Sequence, residues 1–396
     1  MRRMTADAMV ATARHPHSRQ RAAVAAAFCG QGLVFISLTT KLPEIQDTLH
    51  IKPGTMSVLL LGLVLAAGVG SLLGEWLAPR RGSAMALRLG FALMAVMLPL
   101  LALGSTIAPV AAAMAGYGLA LGLVDAGTNM QGVAVEHEYG RPIMPTFHGA
   151  WTLGGIIGTL GSLATQQVSF EASALGLAVI PVLLVFAPYL AVGGPIAAIS
   201  GARAAVPWRR IMLVGAAMVL FYMADTAITT WGPTYLDKQF LASASTVSVA
   251  TLPYLAASLV GRGAGDTLAR RYGAVRLVRV AAVIGAIGLA VVVFAPNAPV
   301  AMGGFLVLGV GISVIAPLSY SAAASIARES VQHDDPIAVR AAVDAIIARF
   351  NQFNYVGGLL GAVMTGAVGN NTLRLGFAIP MVLVLAIIPL ARAFRS

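Results

Sequence analysis

The sequence predicts an all-helical membrane protein whose twelve transmembrane helices form two six-helix halves. Three observations predict this fold: an apolar composition, a succession of long apolar segments, and an internal repeat. Apolar side chains make up 58% of the 396 residues, charged ones make up only 10%, and the mean hydropathy is +0.84. Soluble globular proteins carry about 25% charged residues. This chain lacks the polar surface that water requires, so we expect it to lie in a bilayer.

Twelve apolar segments are long enough to cross the hydrocarbon core of a membrane, which takes roughly 20 residues in a helix. They are residues 22–40, 56–77, 85–103, 107–135, 143–164, 174–192, 211–231, 247–260 with its flanks, 277–295, 300–326, 341–368 and 373–394. Most connections between them are too short to hold a folded domain. A helix satisfies its backbone polar groups internally, so each segment is expected to span as a helix.

The distribution of basic residues predicts the orientation. An even number of spans puts both termini on one side, and Lys and Arg accumulate in cytoplasmic loops. Of the 26 Lys and Arg residues, only Lys41, Lys52, Lys238 and Arg374 fall on the side away from the termini. Both termini are therefore expected in the cytoplasm, and the protein is expected in the cell inner membrane. The predicted parts are a cytoplasmic arm (1–21), a first half (22–192), a cytoplasmic linker (193–210) and a second half (211–394).

The net charge of +11 does not indicate nucleic acid as a partner. The basic residues lie at helix ends, without the aromatic side chains that accompany them in nucleic-acid sites. Cys29 is the single cysteine, which excludes an intrachain disulfide and thiolate metal sites. The sequence contains neither a G-x-x-x-x-G-K-[ST] nucleotide loop nor an H-E-x-x-H zinc motif. We therefore expect no metal, no cofactor and no direct use of ATP.

An internal repeat predicts the two halves. At an offset of 191 residues, glycines and charges around the connection between spans 2 and 3 recur between spans 8 and 9. The aligned residues are Gly70, Gly74, Glu75, Leu77, Ala78, Arg80, Gly82 and Arg88 with Gly261, Gly265, Asp266, Leu268, Ala269, Arg271, Gly273 and Arg279. At an offset of 203, residues 154–158 align with residues 357–361. Span 5 therefore corresponds to span 11.

The repeated loop resembles the signature loop of the major facilitator superfamily, where a glycine, an acid, a basic residue and a second glycine follow one another. In that superfamily the acid usually precedes the basic residue directly, whereas here Pro79 and Arg270 hold those positions. Residues 122–129 and 147–155 are similar to the sugar-permease-like branch near fucose permease. The resemblance covers residues 22–394 and implies a transporter with its substrate between the halves near the midplane. It also implies a gating role for Glu75, Arg80, Gly82, Asp266, Arg271 and Gly273.

Ionisable residues inside a span are functional candidates, because a charge at the bilayer centre costs at least about 2.5 to 3.5 kcal/mol on insertion scales. Span 4 places Asp125, Asn129, Gly132 and Glu136 on one helical face. Burial favours proton uptake by a carboxylate. Asp125 is therefore a candidate for proton coupling, and Asn129 for the substrate cavity. The alternative for Asp125 is a structural hydrogen bond to a neighbouring helix.

Span 7 carries a second polar face, formed by Tyr222, Asp225, Thr226 and Thr229. Asp225 is the second candidate for proton coupling, and Tyr222 is a candidate for the substrate cavity. Two alternatives stay open for Asp225: it caps a break in the helix, or it forms a fixed pair with Arg349.

Spans 5 and 11 carry matched polar and aromatic residues. Through the repeat, Asn351 and Asn354 match His148 and Trp151. Matched positions face each other across the central cavity in this architecture, and such side chains suit a hydroxylated or aromatic small molecule. The cavity candidates are His148, Trp151, Arg349, Asn351, Asn354 and Tyr355, with helix packing near the cytoplasmic gate as the alternative. For Arg349 we favour a counter-ion role toward Asp344 or Asp125 over the binding of an anionic group.

These observations predict a monomeric secondary transporter, and not an enzyme. It moves a small organic solute, with a sugar-like solute favoured, together with protons. One alternative is an exporter of lipophilic compounds or a lipid flippase of the same fold, which predicts an apolar lateral opening. The other is a membrane enzyme acting on lipids, which needs clustered acids or histidines. The adjacent acids Asp334 and Asp335 lie in a loop without a second such cluster.

Overall fold

The computed structural model describes residues 17–51, 53–165, 167–191, 207–243, 246–247, 249–330, 336–369 and 372–395. Within these ranges the chain is helical and contains no strand. The helices are α1 (Ser18–Thr48), α2 (Pro53–Arg81), α3 (Ser83–Ala102), α4 (Ile107–Tyr139), α5 (Met144–Ala164), α6 (Phe170–Val185), α7 (Trp208–Phe240), α8 (Leu252–Tyr272), α9 (Ala274–Phe294), α10 (Ala298–Ile312), α11 (Ile315–Ser330), α12 (Pro336–Phe350), α13 (Gln352–Val368), α14 (Leu373–Leu383) and α15 (Ile387–Leu390). Short 3-10 turns flank α15 at Val384–Ala386 and Ala391–Phe394.

The predicted all-helical membrane fold is confirmed. Within the described ranges, eight helical stretches are long and apolar enough to cross a membrane. They are Ser18–Lys41, Val58–Arg81, Ser83–Ala102, Ile107–Tyr139, Trp208–Phe240, Ala274–Phe294, Ala298–Glu329 and Leu373–Phe394. The number of twelve spans and the orientation of the termini stay predictions. Most of the predicted arm and linker, and the loop acids Asp334 and Asp335, lie outside the described residues.

Two helices extend beyond their predicted apolar segments. The helix expected at 247–260 is α8, which begins at Leu252 and continues to Tyr272, so Arg262 and Asp266 lie inside it. The hydropathy pattern ends the predicted segment before these two charges. The helix itself begins at Leu252 and has Pro253 in its first turn, a position where proline is favoured. Helix α7 begins at Trp208, so the last residues of the predicted linker are helical.

Two predicted spans are interrupted. The segment 300–326 consists of α10 and α11, separated by a turn at Ser313 and Val314. The segment 341–368 consists of α12 and α13, which meet at a turn at Asn351. A turn inside a helix leaves backbone carbonyl groups available to side chains of neighbouring helices.

The connections α2–α3 and α8–α9 turn at single glycines that the repeat aligns. Gly82 has φ 84° and ψ 150°, and Gly273 has φ 75° and ψ 155°. This backbone region is open essentially to glycine alone. The glycines therefore allow two long helices to follow one another with almost no loop between them.

The repeat also governs which helices pack together. In the first half α1 packs against α5, α2 against α4 and α3 against α6, and in the second half α7 packs against α13, α8 against α10 and α9 against α14. Gly154 and Gly357, which the repeat aligns, lie at the equivalent contacts α1–α5 and α7–α13. A Cβ atom would lie 1.9 Å from the Cys29 carbonyl oxygen at Gly154 and 2.6 Å from that of Val219 at Gly357. The two halves meet mainly where α2 packs on α12 and α5 packs on α8.

Candidate functional site

The carboxyl group of Asp125 lies between the two halves of the chain. Its Oδ1 accepts a hydrogen bond from Nε2 of Gln31 in α1. Its Oδ2 accepts from the hydroxyl of Tyr355 at 3.0 Å and from Nδ2 of Asn354 at 3.2 Å, both in α13. All three donors are neutral, and in the described part of the chain no cation forms an ion pair with Asp125. Asp125 nevertheless keeps part of its surface accessible.

Asn351 continues this network at the turn between α12 and α13. It is fully buried. Its Oδ1 accepts from the hydroxyl of Tyr320, and its Nδ2 lies 3.4 Å from Ser71 Oγ and 3.5 Å from the Tyr355 hydroxyl. Ser71 in turn donates to the backbone carbonyl of Ala348 at 3.0 Å. The amide of Asn351 therefore ties α2 of the first half to α11 and α13 of the second.

The rest of the polar face of α4 supports the backbone. Asn129 donates from Nδ2 to the carbonyl oxygen of Asp125 at 2.9 Å, while its buried Oδ1 has no hydrogen-bond partner in the described ranges. Glu136 accepts from the backbone N–H groups of Ile143 and Met144, each at 2.8 Å, and so caps the first turn of α5. The polar face of α4 that the spacing predicted therefore carries two carboxyl groups with different roles. Asp125 lies between the two halves, and Glu136 caps α5.

Asp225 lies in α7, and its Oδ1 accepts a hydrogen bond from the hydroxyl of Tyr254 in α8. The backbone carbonyl of Asp225 accepts from Thr229 at 2.9 Å. The side chain of Tyr222, one turn away, is half-buried. The predicted alternative of a fixed pair between Asp225 and Arg349 is wrong, because the carboxyl group contacts α8 instead of α12.

Arg349 forms an ion pair with Glu75 of α2. Its side chain is 55% exposed, and its guanidinium lies 5.2 Å from the centre of the Trp208 ring. The expected counter-ion role toward Asp125 or Asp344 is therefore wrong, while the place of Arg349 in the substrate cavity stays a prediction. Arg349 precedes the end of α12 by one residue and contacts Glu75 and Trp208. Asn354 and Tyr355, in α13, bond Asp125 instead.

His148 lies in α5 with a 7% exposed surface, among aromatic rings. Its ring centre is 5.3 Å from that of Phe28 and 5.7 Å from that of Tyr320. Its buried Nε2 has no hydrogen-bond partner among the described residues. Trp151, one turn further on, is half-buried, with its ring centre 6.5 Å from that of Phe35. His148 and Asn351, matched by the repeat, both contact Tyr320.

The signature-loop acids each bind the opposite half. Asp266 of α8 accepts from the backbone N–H of Thr146 at 3.0 Å and from its hydroxyl, as Glu75 of α2 binds Arg349. The two contacts are equivalent, because the repeat aligns Glu75 with Asp266 and Thr146 with Arg349.

The signature-loop arginines stay near their own helix ends. Arg80 donates to the carbonyl of Trp76 and lies over its ring at 4.4 Å, and Arg271 lies 5.4 Å from the ring centre of Tyr272.

Arg262 of α8 is the central residue that sequence reasoning missed. It is 6% exposed and donates to the carbonyls of Ser313 and His148, each at 3.3 Å, and to the hydroxyl of Thr152. The predicted span ended at residue 260, which placed Arg262 in a loop. The repeat was the available signal, since it aligns Arg262 with the buried Ser71.

Comparison with known proteins identifies the family. Residues 23–334 match the family model described as Major Facilitator Superfamily. The chain belongs to the Major Facilitator Superfamily. An uncharacterized MFS-type transporter of Yersinia pestis is 24% identical to this superfamily member over 386 residues, which cover 96% of each chain. The predicted family is thereby confirmed, and the protein is a multi-pass membrane transporter.

Solved structures of the superfamily share its fold. The fucose:proton symporter FucP of E. coli has a TM-score of 0.71 at 14% identity, over 95% of this chain and 98% of that chain. The proton:xylose symporter XylE has a TM-score of 0.71 at 13% identity, over 94% of this chain and 95% of that chain. At these identities the likeness shows the fold.

Proposed function

We propose that this transporter moves a small hydroxylated solute of the sugar type together with protons, and that Asp125 carries the proton. One observation carries the proposal: the Asp125 carboxyl group is held between the two halves by neutral donors only. The fucose and xylose symporters that share the fold are, by their names, coupled to protons. That likeness supports the proposal for this chain.

Protonation of Asp125 changes the contact between the halves. An ionised carboxylate without a cation is unfavourable in a low-dielectric interior, which favours the neutral acid. Hydrogen bonds to a carboxylate are roughly twice as strong as those to a neutral group. Uptake of a proton therefore weakens the bonds from Asn354 and Tyr355, which lie in the half opposite to Asp125. Release of the proton strengthens them again, and this links the charge of Asp125 to the position of the halves.

The side chains near Asp125 fit a hydroxylated solute. Gln31, Asn354 and Tyr355 offer amide and hydroxyl groups, and the half-buried Tyr222 and Trp151 offer aromatic faces. Small-molecule sites combine such apolar surfaces with a few polar groups that fix orientation. Asn351 and His148 support this arrangement through their contacts with Tyr320.

The proposed topology has twelve spans, both termini in the cytoplasm, and a monomer in the inner membrane. In this orientation the ends of α2 and α8 face the cytoplasm, as their terminal arginines favour. The contacts Glu75–Arg349 and Asp266–Thr146 then join the halves on the cytoplasmic side. We assign this arrangement to a state closed toward the cytoplasm.

The test uses purified protein in liposomes with an imposed proton gradient and a panel of radiolabelled sugars, polyols and sugar acids. Asp125→Asn retains the shape of the side chain but fixes the neutral form. We expect it to abolish gradient-driven accumulation while exchange of solute across the liposome membrane persists. Asp237→Asn, at the far end of α7, is the matched control and should accumulate as wild type does. Accumulation by Asp125→Asn at the wild-type level would refute the assignment, and Asp225 would be tested next.

A further inference from the structure

Arg262 places a positive charge inside the protein without a direct counter-ion. In the described ranges no carboxylate forms an ion pair with it. Its bonded partners are two backbone carbonyls, of Ser313 and His148, and the hydroxyl of Thr152. The bonds come from Nε and Nη1, and Nη2 makes none with the described part of the chain. A buried guanidinium without a carboxylate partner is unfavourable unless a further anion completes it.

Arg262 and Asp125 each bond a residue of the opposite half. Arg262 in the second half bonds Thr152 in α5, and Asp125 in the first half bonds Tyr355 in α13. The repeat aligns Thr152 with Tyr355. The cation and the carboxyl group therefore contact two residues that the repeat places at equivalent positions, one in each half.

Tyr222 lies near both of these charges. It is half-buried in α7 and lies within electrostatic range of Asp125, Asp225 and Arg262. Asp225 also interacts electrostatically with Arg262, but its carboxyl group is bonded to Tyr254. Tyr222 therefore has the carboxyl group of Asp125 and the guanidinium of Arg262 as neighbours.

We propose that Arg262 binds a carboxylate of the transported solute, so that the solute is a hydroxylated monocarboxylic acid of the sugar-acid class. This inference rests on the proposed function and narrows its substrate. Nη2 of Arg262, which makes no bond with the described part of the chain, offers two charge-assisted N–H donors to a carboxylate. The hydroxyl groups of the solute bind toward Asn354, Tyr355 and Asp125. A single negative charge fits better than a dianionic phosphate, because Arg262 supplies one positive charge and Asp125 repels further negative charge whenever it is deprotonated.

The test compares ligands that differ only in the anionic group. Binding to purified protein is measured by isothermal titration and thermal shift, with D-gluconate against D-glucitol and D-galacturonate against D-galactose. We expect at least one acid of these pairs to bind and its neutral counterpart to bind at least about tenfold more weakly. Equal binding of acid and neutral partner, or binding of neutral ligands alone, would overturn the inference. Absence of binding by both acids would overturn it as well.

Variants of Arg262 test whether this residue binds the carboxylate. Arg262→Gln should weaken binding of the acid at least about tenfold without strengthening the neutral ligand, while Arg262→Lys retains the charge and should bind between the two. Arg276→Gln, which removes an exposed arginine at the start of α9, is the matched control and should bind as wild type. Unchanged binding in Arg262→Gln would contradict the proposal. The wild-type ligand comparison needs no variant, so the inference stays testable if Arg262→Gln does not fold.

The two proposals fail differently. Proton-driven accumulation of a neutral sugar that depends on Asp125 would uphold the proposed function and overturn the role of Arg262. Binding of a sugar acid that depends on Arg262, with accumulation unaffected by Asp125→Asn, would uphold the role of Arg262 and overturn the assignment of the proton to Asp125.

Discussion

Glu75 and Arg349 form an ion pair that joins α2 of the first half to α12 of the second. The equivalent contact, between Asp266 and Thr146, joins α8 to α5. The two contacts differ in burial. In the ion pair the Arg349 side chain is 55% exposed and the Glu75 side chain 16% exposed, whereas Asp266 is 8% exposed. Exposed ion pairs contribute about 0 to 1 kcal/mol, while removal of the partner of a buried N–H costs about 1 to 3 kcal/mol. We therefore expect Asp266 to contribute more than Glu75 to holding the two halves together.

Asp266→Ala should open the cytoplasmic side more than Glu75→Ala. Arg81 and Tyr272 are exposed residues at the ends of α2 and α8. Spin labels at these two positions, in a Cys29→Ala background, report the distance between the two helix ends by double electron–electron resonance. We expect a longer distance population in Asp266→Ala and a smaller one in Glu75→Ala. Asp237→Ala, at the opposite end of α7, should leave the distribution unchanged. A larger effect of Glu75→Ala would contradict this ranking.

Gly82→Ala and Gly273→Ala should each lower thermal stability. Both glycines have positive φ with ψ near 150°, and an alanine there costs about 1 to 3 kcal/mol of backbone strain. A Cβ at Gly273 meets no atom within 4 Å, so the strain is in the backbone alone. Gly263→Ala is the matched control, because this glycine is helical and its Cβ also meets open space. Alanine is favoured over glycine in a helix, so the control should match or exceed wild type. Equal melting temperatures for Gly263→Ala and Gly273→Ala would contradict the role of the turn.

The fold was predictable because composition and repeat act over the whole chain. The offset of 191 residues predicted equivalent turns at Gly82 and Gly273, and both adopt the same backbone conformation. The helix α8 was misplaced because its charges, Arg262 and Asp266, interrupt the hydropathy signal. Those charges are tolerated inside the helix because Thr146, Thr152 and the backbone carbonyls of His148 and Ser313 bond them.

Individual contacts were less predictable than the helices. Spacing along span 4 indicated a polar face around Asp125, and the repeat indicated that Asn354 belongs to the second half of the same site. Neither showed that the two residues bond each other. The partner of Arg349 depends on its direction from the last turn of α12. A shift of one or two residues along a helix turns a side chain by 100° to 200°, so small errors in the helix ends change the partner.

Single cysteines test the proposed orientation. In a Cys29→Ala background, cysteines at Arg80, Arg141, Arg209 and Arg271 should resist an impermeant thiol reagent in intact cells. These positions lie in or next to the connections rich in Lys and Arg, which are expected on the cytoplasmic side. A cysteine at Lys238, near the opposite end of α7, is the positive control and should react. Labelling at Arg271 from outside would contradict the orientation and the twelve-span topology together.

Asn351 and Asn354 should separate stability from transport. Asn351 is fully buried and bonds Tyr320 and Ser71, so Asn351→Ala leaves buried hydroxyls without their partner and should cost about 1 to 3 kcal/mol of stability. Asn354 is half-buried and bonds the Asp125 carboxyl group, so Asn354→Ala should leave the melting temperature near wild type while it raises the KM for solute and lowers accumulation in liposomes. Thermal unfolding of the purified variants and initial-rate transport measure the two effects separately. A large loss of stability in Asn354→Ala with unchanged KM would show that the amide supports helix packing and does not contact the transported solute.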